Sequence, residues 1–210
     1  MGCYSLRRIM KQNHSKQQSL TGHSTEIQRY GTVVNRPISL DHEVRHASVE
    51  SLNQILADTV TLRDMYKKHH WQVSGPMFYP MHLLFDKHYG EQAEIVDALA
   101  ERIQLLGGVA LAMAHDIAET TRVARPPRGR EELTVQLFRL QQAHELIISD
   151  AREAAAAAAE RGDDGTNDLL ISDLLRVNEF QVWFVSEHLV NAGIADQEED
   201  SARPAVTAKA

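Results

Sequence analysis

Residues 81–106 read MHLLFDKHYGEQAEIVDALAERIQLL, a proline-free stretch with apolar side chains at helical spacing, and it predicts one long helix. Within it His82 and Asp86 stand four apart, and so do Asp97 and Glu101. On a helix each pair shares a face and can chelate a metal ion. The midpoints of the pairs are 15 residues apart, which is about 22 Å of helical rise. No single ion spans that gap. If two copies of the helix meet antiparallel across a two-fold axis near Glu91, however, His82 and Asp86 of one fall opposite Asp97 and Glu101 of the other. The spacing therefore predicts two equivalent metal sites at a dimer interface.

The flanking sequence supplies three more long helices. A first begins at a Ser39 or Asp41 cap and carries Leu52, Ile55, Leu56, Thr59, Val60, Arg63 and Tyr66 as a stripe toward His70, before Ser74-Gly75-Pro76 ends it. The second starts near Pro80 and stops at Gly107-Gly108. A short helix over Ala114–Thr120 precedes a loop with Pro126, Pro127 and Gly129. Leu133, Leu137, Leu140, His144, Ile147 and Ala151 mark a third long helix, which continues through an alanine run and breaks at Gly162 to Gly165. Leu170, Leu174, Val177, Gln181, Phe184 and His188 mark the fourth, ended by Asn191-Ala192-Gly193. No strand pattern is present. The expected fold is all-α, a ferritin-like four-helix bundle over residues 41–193 with a short extra helix between helices two and three. A flexible basic tail (1–40) precedes it and a disordered acidic tail (194–210) follows.

Composition narrows the function. The net charge of −7 disfavours a body-wide grip on nucleic acid and suits a protein that attracts cations. Arg7, Arg8, Lys11 and Lys16, with no acid before Glu26, form a local basic patch. Cys3 is the only cysteine, so neither an intrachain disulfide nor a thiolate metal site is expected, and a reducing cytoplasm fits. No segment approaches the roughly 20 apolar residues that cross a bilayer, and the N-terminus lacks a secretory apolar core. Met1-Gly2-Cys3 falls short of the myristoylation pattern because Leu6 stands where Ser or Thr is needed.

A bundle-centred di-iron site carries Glu-x-x-His on two helices. This chain offers only Glu43 to His46, at the edge of the first helix, so the central site is expected to be absent. His70-Trp71-Gln72-Val73-Ser74-Gly75 with His82 and Asp86, followed by Val96-Asp97-Ala98-Leu99-Ala100-Glu101-Arg102 and Leu106-Gly107-Gly108-Val109-Ala110, resembles the two signatures of the Dps family. These are the mini-ferritins named as DNA-binding proteins from starved cells. The resemblance implies that His70, His82 and Asp86 are ferroxidase ligands from one subunit, and Asp97 and Glu101 those of its two-fold mate. It further implies a homododecamer with a hollow interior that oxidises Fe(II), preferably with hydrogen peroxide rather than oxygen, and stores ferric oxide. Zinc, which takes the same donors, is the expected competitor or inhibitor.

Two-electron reduction of peroxide needs two one-electron donors: paired irons, or one iron and an oxidisable residue. Trp71, beside His70, is the candidate for the latter, and an aromatic packing anchor is the alternative. Asp86 serves equally as an outer partner that orients a histidine, and Asp97 as an interface ion pair, for instance with Lys87. His88, His144 and His188 are candidates for a secondary metal site, with a core role favoured for His144 and His188. Glu145, Asp150 and Glu153 are candidates for an iron-entry pore. Three readings compete: a cytoplasmic ferroxidase and iron store, a nucleoid protein binding DNA through its N-terminal tail, and a ferritin-like scaffold with structural zinc.

Overall fold

Asp41 takes extended backbone, φ −63° and ψ 150°, and opens helix α1 (His42–Gln72) without a side-chain capping bond. It does so in a computed structural model that describes residues 26–190. The basic cluster of the N-terminal tail and residues 194–210 lie outside the described residues. Helix α2 (Phe78–Leu105) begins two residues before Pro80, which is tolerated because the first turn has no intrahelical use for its missing N–H. The short α3 (Ala114–Thr120) and the long α4 (Leu133–Glu160) follow where the sequence places them. None of the described residues forms a strand, and no described helix is long and apolar enough to cross a membrane.

The last helical run covers residues 164–187 and departs from the simple pattern. It consists of α5 (Asp164–Asp168), a π-helical segment (Leu169–Leu175) and α6 (Arg176–Glu187). A π turn holds an extra residue, which rotates everything after it by roughly 100° relative to an uninterrupted α-helix. The expected stripe of Val177, Phe184 and His188 accordingly slips by one. Asn178, Val185 and Leu189 are buried instead, Gln181 stays buried, and His188 is exposed with its Nδ1 bonded to the Phe184 carbonyl at 2.7 Å. The core role expected for His188 does not hold.

Three buried charges lock the bundle. Arg45 donates to the carbonyls of Val34 (2.6 Å), Leu106 (3.1 Å) and Leu40 (3.2 Å). Val34 N–H donates in turn to Gly107 at 2.9 Å. Residues 33–40, which the sequence assigns to the end of the tail, therefore run pinned along the C-terminus of α2. Gly107 is required here: its φ is +89°, and a Cβ would lie 2.3 Å from the Val34 oxygen. Asp58 accepts from Thr121, Gln54 and both backbone and side chain of Arg122, which ties α3 to α1. Burial alone would raise the Asp163 carboxyl. Hydrogen bonds from Ser48 and Thr166, with the Arg102 charge at 2.5 Å, outweigh it and hold the group below the usual carboxylate range.

Between these locks lies an aliphatic and aromatic core in which Leu52, Tyr66, Phe85, Leu99, Leu140 and Leu174 are fully buried. Each such side chain contributes about 1.5–3 kcal/mol through burial. Three histidines sit among them. Desolvation pushes His69 and His88 down to about 4 and His144 to about 3, so all three are neutral in the folded chain. The unfolded chain binds these protons near pH 6.5, so the contribution to stability is complete above that pH and is lost as pH falls toward 4. Near pH 5 unfolding should take up almost three extra protons per chain, a slope of about 4 kcal/mol per pH unit. Denaturant midpoints at fixed protein concentration should fall steeply between about pH 6.5 and 5, and a flat profile would contradict the neutral, buried assignment.

Candidate metal centre

α1 ends where α2 begins, and the two histidines of the first signature meet at that corner. Their rings stack with centroids 3.7 Å apart and an interplanar angle of 20°. His70 Nδ1 bonds the His82 carbonyl at 2.8 Å, and His82 Nδ1 bonds the His70 carbonyl at 2.9 Å. The His70 carbonyl is available because it belongs to the last turn of α1, where carbonyls lack intrahelical partners. A carbonyl only accepts, so both Nδ1 atoms carry the proton. Each Nε2 is left with its lone pair, and neither makes a hydrogen bond among the described residues. Both imidazoles are thus held in the tautomer that ligates a metal ion.

Asp86, one turn beyond His82, brings a carboxylate oxygen to 3.9 Å from His70 Nδ1. Its other neighbour is Lys67, whose Nζ lies 2.5 Å from the same oxygen and 4.4 Å from the Tyr89 ring centre. The Lys67 hydrogen bond, assisted by its charge, holds the half-exposed Asp86 carboxyl below its ordinary range. Sequence reasoning missed Lys67, although its position three residues before His70 puts it on the same helical face. Trp71 next to His70 is 69% exposed in the protomer, and Phe78, Tyr79 and Leu83 on α2 are exposed as well.

Asp97 and Glu101 stand toward the far end of α2. Both are exposed and make no hydrogen bond or ion pair with the described residues. Glu101 borders an open groove of about 740 Å³ formed with Arg36, Ile38, Gln104 and Leu105. Lys87, considered above as a partner for Asp97, pairs with Glu91 on its own helix. One protomer thus gathers His70, His82 and Asp86 and leaves Asp97 and Glu101 apart. Among the described residues, no cluster of three or more donors suited to one ion forms within the chain. Two imidazole nitrogens and one carboxylate are a fitting but incomplete donor set for Fe(II) or Zn(II).

The other candidates are placed elsewhere. Glu43 is exposed and His46 pairs with Glu50 at 3.5 Å, away from the bundle centre. His144 and His88 are buried between helices. Asp150 pairs with Arg122, while Glu145 and Glu153 are exposed on α4.

Comparison with known proteins agrees with this arrangement of helices. The ferritin-like domain family matches residues 49–193. A protein of Kitasatospora aureofaciens, described as an uncharacterized protein in the bpoA2 5′ region, is 50% identical over 149 residues, covering 71% of this chain and 99% of that protein. The nutrient stress-induced DNA-binding protein of a Nostoc species is 34% identical over 155 residues, covering 74% and 84%. Among solved structures, DpsC from Streptomyces coelicolor is 53% identical with a TM-score of 0.79, covering 80% of this chain and 97% of that one.

Lys67 competes with any cation for Asp86. Replacing it, Lys67→Met, should tighten anaerobic Fe(II) binding about tenfold by titration calorimetry, equivalent to about 1.4 kcal/mol. Weaker binding in the variant would mean that Lys67 instead orients Asp86 for the metal.

Proposed function

Because the chain belongs to the Dps family of ferritin-like proteins, we propose that it oxidises Fe(II), preferably with hydrogen peroxide, at sites shared by two copies and stores the ferric product in a dodecameric shell. Family membership supports the iron-storage role. The observation that carries the shared site is the division of donors between two places: the stacked His70 and His82 with Asp86 nearby at the corner of α1 and α2, and, near the end of α2, Asp97 and Glu101 with no partner among the described residues. An antiparallel second copy supplies to each cluster the two carboxylates it lacks.

Each residue then has a defined task. His70 and His82 present Nε2 lone pairs whose direction is set by their Nδ1 bonds. Asp86 exchanges its ion pair with Lys67 for the incoming iron. Asp97 and Glu101 of the second copy add negative charge, which favours Fe(III) over Fe(II) and so promotes oxidation. The overall reaction balances as two Fe(II), one hydrogen peroxide and two protons giving two Fe(III) and two waters. Trp71, at the rim of the cluster, either packs against the second copy or supplies an electron when only one iron is bound. Zinc fits the same donors and acts as a competitor.

DNA binding is a second property, favoured by the name of the Nostoc relative and by the basic residues Arg7, Arg8, Lys11 and Lys16. Repeated around a shell, four cations per chain gain avidity for phosphate.

Rapid mixing of anaerobic, Fe(II)-loaded oligomer with peroxide should give a fast ferric absorbance phase. His82→Ala or Asp97→Ala should slow it at least about tenfold with the shell intact by size exclusion, since even outer partners of metal ligands cost 10–100-fold. Removal of residues 1–25 should leave this phase intact and abolish salt-sensitive DNA retention. Unchanged rates in both point variants would overturn the site.

A further inference from the structure

Where a central di-iron site would lie, the bundle interior holds a hydrogen-bonded chain that the ferroxidase ligands do not use. Tyr66 on α1 is fully buried, and its Oη lies 2.6 Å from Nε2 of the equally buried His144 on α4. His144 Nδ1 lies 2.8 Å from Asn178 Oδ1 on α6. The Asn178 amide is oriented by its Nδ2, which donates to the Leu174 carbonyl at 2.8 Å, so Oδ1 is the acceptor. Gln92 Nε2 donates to that oxygen at 3.2 Å and to Gln181 at 3.0 Å, and Gln181 donates to Glu91 at 2.9 Å. Two donors converging on Asn178 Oδ1 settle the proton positions. His144 carries its proton on Nδ1, Nε2 is a free base, and Tyr66 O–H donates to it.

This pairing has a chemical meaning. A phenol that loses an electron becomes a very strong acid, so its oxidation inside an apolar core requires a base already in contact. Burial raises the Tyr66 hydroxyl well above its ordinary range and lowers His144 to about 3, so the proton rests on the tyrosine until an electron leaves. Tyr66 is also close to the ferroxidase half-site. It precedes His70 by one helical turn, about 6 Å of rise. Its ring centroid lies 6.0 Å from that of Phe85, the neighbour of Asp86. Trp71 has no hydrogen-bonded base among the described residues. The π-helical segment just before Asn178 rotates that amide inward to hold the His144 tautomer.

We propose that Tyr66 is a one-electron donor to the ferroxidase site, with His144 Nε2 as the acceptor of its proton. The inference rests on the ferroxidase reading above. When a site holds one Fe(II), peroxide takes one electron from the iron and one from Tyr66, together with two solvent protons. The O–O bond breaks, and the products are Fe(III), two waters, a neutral tyrosyl radical and protonated His144. The charge of Glu91 reaches Tyr66 and compensates the new cation. A further Fe(II) then returns an electron to the ring, and His144 returns the proton. Supplying the second electron in place keeps hydroxyl radical from escaping.

The test is freeze-quench electron paramagnetic resonance on the assembled oligomer, loaded anaerobically with substoichiometric Fe(II) and mixed with hydrogen peroxide. The wild-type chain should give a tyrosyl radical whose hyperfine pattern collapses when the protein is made with deuterated tyrosine, a readout that needs no variant to fold. Tyr66→Phe should abolish that signal, His144→Gln should cut its yield about tenfold, a loss of about 1.4 kcal/mol in the driving equilibrium, and Tyr79→Phe should leave it unchanged. Fe(II) oxidation with no tyrosyl radical at any quench time, or the same radical yield in Tyr66→Phe, overturns the relay alone. Wild-type protein that oxidises no Fe(II) with peroxide overturns the ferroxidase reading and the relay with it.

Discussion

The rise of an α-helix is fixed, and on α2 it keeps His82 and Asp86 about 22 Å from Asp97 and Glu101. Everything else about the proposed iron chemistry depends on that separation. A protomer offers one half of a donor set at the start of α2 and the other half near its end, so an antiparallel second copy is the simplest way to complete either. The corner between α1 and α2 prepares the first half in advance. The reciprocal Nδ1–carbonyl bonds of His70 and His82 fix ring orientation and tautomer with backbone atoms alone. Gly90, close to the proposed two-fold axis, faces open space within the protomer, where a Cβ would meet nothing within 4 Å. A second helix has room to approach there.

In the proposed arrangement the metal chemistry lies outside the bundle centre, and the interior is filled another way. Aliphatic packing fills most of it, but Tyr66, His88, Gln92, His144, Asn178 and Gln181 form a buried polar layer. Most of its members are satisfied by one another, which is the condition for such a layer to be tolerated in a core. The exceptions among the described residues are Gln92 Oε1 and His88, whose ring nitrogens both lack a hydrogen-bond partner and whose ring stands edge-on to Tyr66 at 5.2 Å. A layer of this kind costs stability relative to apolar packing. The Tyr66 and His144 pair gives it a use beside the site.

Much of this was legible in the sequence because the governing patterns are local. Helical periodicity, the glycines at 107 and 108 and the break at Gly162 are read from near neighbours, and α1 to α4 lie where these signals put them. The spacing of the proposed donor pairs was legible for the same reason, since residues four apart on a helix share a face. The π-helical segment was not, because an inserted residue has no local compositional mark, and it moved the buried face from Val177, Phe184 and His188 to Asn178, Val185 and Leu189. The contacts of Lys67 with Asp86, Asn178 with His144 and Arg45 with Val34 likewise depend on how separate segments pack. Residue spacing along one helix does not encode them.

The central claim is that each metal site is built by two chains, and co-assembly tests it directly. Chains carrying His82→Ala with Asp86→Ala should be inactive alone, as should chains carrying Asp97→Ala with Glu101→Ala. Refolded together in equal amounts, random pairing makes half the dimers mixed, and each mixed dimer holds one intact site and one doubly broken one. The account predicts recovery of about a quarter of the wild-type fast ferric phase. No recovery in verified mixed shells would contradict a shared site and place the chemistry within a single chain.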